Sequence, residues 1–233
     1  MTDWLYPDAI VESDWLATHL DDPKLRIFEC TTYLRYTDND PNLPYIVESG
    51  HADYETAHIK GAAFFDLQNE LSNPDSPYRF TLPEYADLAG RFAEKGVGDD
   101  TRLILYSRSG NQWSTRIWWM LRSVGFDNAA ILNGGWEKWD AEKRLTESGG
   151  REYPSASLTA NPRPELFVGK DEVLAAIGDA GICTLNALSA DMHSGENPRY
   201  GRAGRVPGSV NVPAASLFNQ NDKTFLPLEA VQN

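Results

Sequence analysis

Cysteine is almost absent from this sequence. The 233 residues contain two, Cys30 and Cys183, and each stands in a short apolar run that is typical of a strand. Two thiols in such settings argue against a framework of disulfides and against a zinc site built from cysteines. We therefore expect two buried, inert thiols and a reducing, cytoplasmic environment.

Long apolar runs and an excess of positive charge are lacking as well. No stretch approaches the roughly 20 apolar residues of a membrane span, and residues 1–10 lack the basic segment and apolar run of an export signal. Asp and Glu number 34 against 21 Lys and Arg, which gives a formal net charge of -13. Such a surface repels phosphate backbones and anionic membranes. Neither nucleic acid nor a membrane is expected as a partner.

Apolar residues are plentiful, at 41%, and they are arranged in an internal repeat. Four pairs of segments align in the same order: residues 11–16 with 168–173, 25–28 with 182–185, 58–63 with 205–210, and 81–84 with 225–228. A duplicated unit explains this order better than coincidence does. The repeat predicts a complete domain at 1–148, a Gly- and Pro-containing linker at 149–164, and the first part of a second copy at 165–233.

Strand and helix patterns alternate in the first copy. Residues 102–106 and 129–132 are short apolar runs of the kind buried in a parallel sheet. Residues 113–124 carry apolar side chains at helical spacing, and those predicted to face the core are Ile117, Trp118, Met120, Leu121 and Val124. Asn133-Gly134-Gly135 leads into a second helix that contains Trp136 and Trp139. This alternation predicts an α/β fold in which helices flank a parallel sheet.

Four motifs stand in one order along the chain: AHIKGAAFFDL at 57–67, LILYSRSGNQWSTRIWWMLRSVG at 103–125, LNGGWEKW at 132–139 and GRVPGSVNVP at 204–213. Together they resemble the rhodanese family of sulfurtransferases in its tandem two-domain form. The resemblance implies a rhodanese-like parallel sheet flanked by helices. It also implies an enzyme that moves a sulfane sulfur from thiosulfate or 3-mercaptopyruvate to cyanide or a thiol through a cysteine persulfide. No metal or organic cofactor is implied.

Ser107 stands where the resemblance places the catalytic cysteine of the first copy. An oxygen atom cannot carry a transferable sulfane sulfur as a thiolate does, and its alkoxide is inaccessible near neutral pH without a positioned base. Carrying the last offset of the repeat forward places the cysteine of the second copy at about residue 250, beyond Asn233. Residues 1–233 alone are therefore expected to be inactive.

The segment after the strand at 102–106 supplies the candidates for an anion-binding loop: Ser107, Arg108, Ser109, Gly110, Asn111 and Gln112. Its Ser and Gly residues also suit an ordinary turn, so both interpretations stay open. A non-catalytic module that recognises an anion or a protein through this loop is the alternative function. His58 either reaches the second domain's site or supports the turn before Gly61, and we expect the structural role.

Arg199, Arg202 and Arg205 form a basic cluster in this acidic chain. The resemblance implies substrate-binding arginines in this stretch, and Arg199 is the best match, since a guanidinium can hold a carboxylate or sulfonate with two hydrogen bonds. A solvated surface role is the alternative. Ser194 stands where relatives commonly have another arginine, which leaves the choice between thiosulfate and 3-mercaptopyruvate open.

The expected partners are small molecules and a second copy of the chain. The resemblance implies a sulfur-donor anion and a thiol or cyanide acceptor. A partial second copy leaves a sheet edge and apolar surface unpaired, and we expect possible self-association through this part of the chain.

Overall fold

The computed structural model describes residues 6–37 and 43–231. Its strands are β1 (Ile10–Val11), β2 (Leu25–Glu29), β3 (Thr32–Tyr36), β4 (Tyr45–Ser49), β5 (His58–Ile59), β6 (Ala62–Phe64), β7 (Arg102–Tyr106), β8 (Ala129–Leu132), β9 (Thr146–Glu147), β10 (Leu185–Asn186) and β11 (Val210–Asn211). Its α-helices are α1 (Ser13–His19), α2 (His51–Thr56), α3 (Tyr85–Glu94), α4 (Gln112–Ser123), α5 (Gly135–Ala141), α6 (Lys170–Ala175), α7 (Ala190–Ser194) and α8 (Leu228–Val231). Within the described residues, short 3₁₀ segments occur at Pro7–Ala9, Pro164–Leu166 and Ala214–Leu217.

Five strands form a parallel sheet in the order β1, β8, β7, β2, β6. Strand β7 lies near the centre, paired with β2 on one side and β8 on the other. Its residues 103–106 are all buried, as expected for a strand covered on both faces. Glu29 lies opposite Tyr106, so the carboxyl ends of β2 and β7 meet at one edge of the sheet. The predicted parallel sheet flanked by helices is confirmed.

Helix α4 packs on β7 and β8 through the apolar face that its sequence predicts. Four of its predicted core residues, Ile117, Met120, Leu121 and the following Val124, are fully buried. Trp118 differs from the prediction, since it is only partly buried. Its indole N–H donates to the carbonyl of Ala129 at 3.0 Å, which holds the ring near the surface.

The chain divides into two compact units. The first contains the five-stranded sheet and comprises residues 1–33, 49–163 and 221–224. The second comprises residues 34–48, 164–220 and 225–233. The sequence assigned residues 34–48 to the first copy, because nothing in their composition separates them from the residues around them.

The second unit repeats local geometry of the first at the offsets found in the sequence. Helices α1 and α6 begin 157 residues apart. In the first unit Phe28 of β2 lies opposite Ala63 of β6 in a parallel pair, and Leu185 of β10 lies opposite Val210 of β11 in the same way. Gly61 and Gly208 precede the later strand of each pair with positive φ angles of 86° and 77°, a conformation that favours glycine.

Of the linker expected at 149–164, residues 149–163 belong to the first unit. The amide of Gly149 donates to the carbonyl of Glu55 at 2.8 Å. The hydroxyl of Tyr153 donates to Gly61 O at 2.6 Å and accepts from the amide of Ile27 at 3.0 Å. A segment without its own regular hydrogen bonds must satisfy its backbone elsewhere. Besides Gly149, which bonds to α2, the amide of Ala156 donates to the carbonyl of Ala93 in α3 at 2.9 Å, and the amide of Asn161 donates to the carbonyl of Val124 after α4 at 2.8 Å.

The second unit leaves many apolar side chains exposed. The predicted strand at 182–185 is shorter and later, because only Leu185 and Asn186 pair with β11. Large hydrophobic residues of this unit that are exposed include Val168, Leu174, Ile177, Ile182, Leu185, Leu188, Val210 and Val212. Cys183 is also exposed, so its predicted burial is wrong. The sheet here has only two strands of two residues each and is too small to cover its neighbours.

Candidate functional site

The candidate site begins where β7 ends and α4 starts, at residues 107–112. Ser107 is fully buried, and its hydroxyl donates to the carbonyl of Gly110 at 2.6 Å. Ser109 and Gly110 have positive φ angles of 62° and 117°, so the loop curls back on itself. The Ser107 hydroxyl is thus held inside the loop by the loop's own backbone.

Helix α5 closes the loop from the other side. A Cβ added at Gly135 would lie 2.5 Å from the carbonyl oxygen of Ser107, so only glycine fits there. The amide of Trp136 donates to that same carbonyl at 3.3 Å. Glu137 Oε1 accepts a hydrogen bond from the amide of Ser109 at 2.6 Å. The amide of Ser109 therefore already donates to a carboxylate of the protein and is not available to an anionic ligand.

Arg108 anchors the loop to the end of β2. Its Nε donates to Glu29 Oε1 at 2.7 Å and its Nη2 to Glu29 Oε2 at 3.3 Å. Thr31 donates to Glu29 Oε1 at 2.8 Å and accepts from the amide of Arg108 at 3.0 Å. The guanidinium also lies 4.0 Å above the ring of Trp136. Burial disfavours the charged guanidinium, but the hydrogen bond and charge of Glu29 outweigh this effect and raise the pKa of Arg108.

The other loop candidates point in different directions. Asn111 is fully buried and donates from Nδ2 to the carbonyl of Lys223 at 3.1 Å. Gln112 is exposed at the first turn of α4. The six loop candidates thus form one continuous loop, but their side chains do not converge on one point.

Two carboxylates of this site escaped the sequence analysis. Glu29 ends β2, follows the apolar pair Ile27 and Phe28, and is fully buried. Glu137 stands in the first turn of α5. A charged residue that ends a buried strand is a signal of a paired or functional group, since an unpaired buried charge is costly. Sequence alone could not name its partner.

His58 has the contacts of a structural residue. Its ring stacks on Tyr54 at 4.2 Å between centroids, and Nδ1 lies 2.8 Å from the carbonyl of Tyr54. Nε2 lies 3.4 Å from Glu147 Oε1, without hydrogen-bond alignment. The same Glu147 oxygen accepts from the amide of Gly61 at 2.8 Å. These contacts hold the turn at Gly61, and a role for His58 toward substrate stays a prediction.

The three candidate arginines lie in the second unit. Arg199 is half-buried, and its guanidinium carbon lies 4.2 Å above the ring of Tyr36. Arg205 donates to the carbonyl of His193 at 3.2 Å, and Arg202 is exposed. Of the three, Arg199 alone stacks on an aromatic ring within the described residues.

The residue that follows Arg199 belongs to the same aromatic group. Tyr200 and Tyr45 lie edge to face at 6.3 Å, and Tyr45 contacts Tyr36 at 6.2 Å. Burial, together with the hydroxyl of Tyr36, raises the pKa of Tyr200 to about 12. Tyr200 therefore stays neutral at physiological pH and adds no negative charge beside Arg199.

The two thiols differ in access, which gives a first testable prediction. Burial of Cys30, reinforced by the charge of Glu29, raises the pKa of its thiol well above the usual value, whereas Cys183 is exposed. We expect one thiol of the native protein to react with an aromatic disulfide reagent and the second to react at least about 100-fold more slowly. Denaturant should release both. Equal, rapid reaction of both thiols in the native protein would contradict this assignment.

The profile of the rhodanese-like domain matches residues 12–142, which contain the Ser107 loop. The chain belongs to the rhodanese-like family. It is 35% identical over 226 residues to the 3-mercaptopyruvate sulfurtransferase of Escherichia coli K12, an alignment that covers 95% of this chain and 77% of that protein. It is 29% identical over 241 residues to the sulfur carrier protein TtuD of Thermus thermophilus, covering 98% of this chain and 77% of the relative.

The solved structures agree with this assignment. The crystal structure of SseA from Escherichia coli, a 3-mercaptopyruvate sulfotransferase with a rhodanese fold, matches with a TM-score of 0.77 and 31% identity. The match covers 95% of this chain and 80% of that chain. This rhodanese-like chain is thus related to enzymes that transfer sulfur.

Within residues 6–37 and 43–231, no group of three or more His, Cys, Asp or Glu side chains is placed to hold a metal ion. No helix in the described part of the chain has the length and apolar character needed to cross a membrane.

Proposed function

We propose that the protein moves a sulfane sulfur from thiosulfate or 3-mercaptopyruvate to a thiol or cyanide. The sulfur is carried as a persulfide on a cysteine that follows residue 233, and the protein acts in the cytoplasm. Kinship with sulfurtransferases supports the reaction class. The observation that carries the placement of the cysteine is Ser107, a buried oxygen at the position where the resemblance requires a thiolate.

The second unit is, in this proposal, the beginning of a second rhodanese-like domain. The matching registers of β2 with β6 and of β10 with β11 support a repeat, as do the two glycines with positive φ. In the first unit, the loop that follows the next strand, β7, holds Ser107. The equivalent loop of a second copy falls at about residue 250.

The persulfide can be located directly in the intact protein. The intact protein is incubated with thiosulfate or 3-mercaptopyruvate, digested without reductant and analysed by mass spectrometry. One peptide beyond residue 233 is expected to gain the mass of one sulfur atom. A gain on the peptide of Cys30 or Cys183 would show that the cysteine has been assigned wrongly.

Arg199 is the proposed contact for the anionic end of the donor. A guanidinium stacked on Tyr36 is oriented before substrate arrives, so less rotational freedom is lost when it binds a carboxylate. Ser194 stands at the position where relatives commonly have a second arginine. Its hydroxyl donates to the carbonyl of Asp191 at 3.0 Å. We therefore assign donor binding in this stretch to Arg199 rather than to a pair of arginines.

Substitution of Arg199 in the intact protein tests this role. Arg199→Gln is expected to raise KM for 3-mercaptopyruvate by about 10- to 100-fold, with kcat changed by less than about threefold. Tyr36→Leu removes the ring beneath the guanidinium and should raise the same KM by about three- to tenfold. Arg144→Gln, an arginine of the first unit paired with Asp14 and Glu142, is the control. An unchanged KM in Arg199→Gln would show that Arg199 does not bind the donor.

The alternative is a non-catalytic module that binds an anion or a protein through residues 107–112. The hydrogen bond between Glu137 and the amide of Ser109 weighs against anion binding, because the carboxylate is already present where the anion would lie.

Self-association remains part of the proposal for residues 1–233. The exposed apolar side chains of the second unit support it, and sedimentation velocity over a range of concentrations measures it.

A further inference from the structure

An open cavity of about 560 Å³ lies at the edge of the sheet opposite Ser107. It is lined where the chain enters β7 and β8, by Arg102 and by residues 127–129. Strand β7 separates the two edges by five residues, or roughly 16 Å. A ligand in this cavity would therefore not touch the residues of the Ser107 loop.

Arg122, in the last turn of α4, lines the cavity with a guanidinium that is largely withdrawn from solvent and has few polar partners. Its side chain is 14% exposed. Its nearest carboxylate oxygen, Asp127 Oδ1, lies 3.5 Å from Nη1, and both oxygens of that carboxylate accept from Arg163 at 2.7 and 2.6 Å. Nε of Arg122 is buried without a hydrogen-bond partner. A guanidinium has five N–H donors. None of the five of Arg122 forms a hydrogen bond with the described residues, 6–37 and 43–231.

Aromatic rings hold this guanidinium in place. The guanidinium carbon of Arg122 lies 4.4 Å from the ring centroid of Tyr6 and 4.9 Å from that of Trp118. The two rings meet edge to face at 6.1 Å. Both aromatic residues line the cavity, so the walls beside the positive group are apolar and flat.

Arg102 supplies a second positive charge to the same cavity. Its Nη1 donates to Asn128 Oδ1 at 3.1 Å and its Nη2 to the carbonyl of Asp8 at 3.4 Å. Both partners are neutral groups, so the charge of Arg102 is oriented without being cancelled. Two arginines at one cavity stand out in a chain whose formal net charge is -13.

We propose that this cavity binds a small aromatic carboxylate. The carboxylate accepts hydrogen bonds from the guanidinium of Arg122, whose planar fork matches it, and the ring packs against Tyr6 and Trp118. The volume lies in the range of small-molecule sites. A single negative charge suits the lining better than a phosphate dianion does, because Asp8 and Asp127 also face the cavity. The site is independent of the sulfur-transfer reaction proposed above.

Titration calorimetry of residues 1–233 with benzoate tests the proposal. Benzoate is expected to bind with a Kd of about 1 mM or tighter. Benzamide, which keeps the ring and loses the charge, and cyclohexanecarboxylate, which keeps the charge and loses the ring, should each bind at least about tenfold more weakly. Equal affinity for benzoate and benzamide, or no heat with benzoate at about 10 mM, would overturn the proposal.

Variants assign the binding to this cavity. Arg122→Gln should weaken benzoate binding at least about tenfold, and so should Tyr6→Leu, which alters a half-exposed ring and leaves the core intact. Arg26→Gln is the matched control, because that guanidinium also lies over a ring, Tyr153 at 4.7 Å, and also has a buried Nε without a partner. Wild-type affinity in both cavity variants, or an equal loss in Arg26→Gln, would place the benzoate elsewhere.

Discussion

Residues 1–233 are expected to form no thiocyanate above the blank when mixed with thiosulfate or 3-mercaptopyruvate and cyanide. The transfer needs a thiolate that can become a persulfide. Ser107 presents a hydroxyl that already donates to Gly110, and Cys30 is fully buried with a raised pKa. Cys183 is exposed and precedes strand β10, whereas Ser107 follows strand β7. In our proposal the intact protein carries the cysteine at about residue 250, and it should therefore turn over in the same assay.

Two variants make this result informative. Ser107→Cys in residues 1–233 is expected to stay inactive, because the loop amide of Ser109 is bonded to the Glu137 carboxylate and a nearby negative charge disfavours a thiolate. Cys183→Ser should change nothing. Thiocyanate well above the blank from residues 1–233, abolished by Cys183→Ser, would mean that the exposed thiol is the sulfur carrier.

The strands that place the site could be predicted from sequence because their residues are apolar on both faces. Residues 102–106 and 129–132 form β7 and β8 with the predicted bounds. Such runs pack between helices whatever their neighbours are, so local pattern decides their structure. The loop at 107–112 followed as the link between a buried strand and an amphipathic helix.

The contacts inside the loop could not be predicted in the same way. Glu29 and Arg108 are 79 positions apart in the chain, and Ser109 and Glu137 are 28 apart. The order and register of the strands bring the members of each pair together, and neither order nor register can be predicted from the local sequence. The exposure of Cys183 also depends on residues distant in sequence, because an apolar run is buried only when other strands are present to cover it.

Loss of the Arg108 guanidinium is expected to destabilise the first unit by about 3–5 kcal/mol. Glu29 is fully buried, and Arg108 donates to both of its carboxylate oxygens. Arg108→Met keeps much of the apolar volume over Trp136 but leaves the Glu29 carboxylate in the protein interior without its counter-ion. The midpoint of urea unfolding should fall by about 1–2 M. All seven Trp residues precede position 140, so tryptophan fluorescence follows this unit.

Two further variants separate the ion pair from general packing. Arg144→Met removes an arginine that pairs with Asp14 and Glu142 at the surface, and it should cost less than about 1 kcal/mol. Glu29→Gln combined with Arg108→Met removes both charges, so it should recover a large part of the loss. Arg108 also donates from Nη2 to the carbonyls of Asp53 and Ala57. If the double variant is no more stable than Arg108→Met alone, the cost arises from lost packing and from these lost hydrogen bonds. In that case the buried charge of Glu29 is not what fixes the loop.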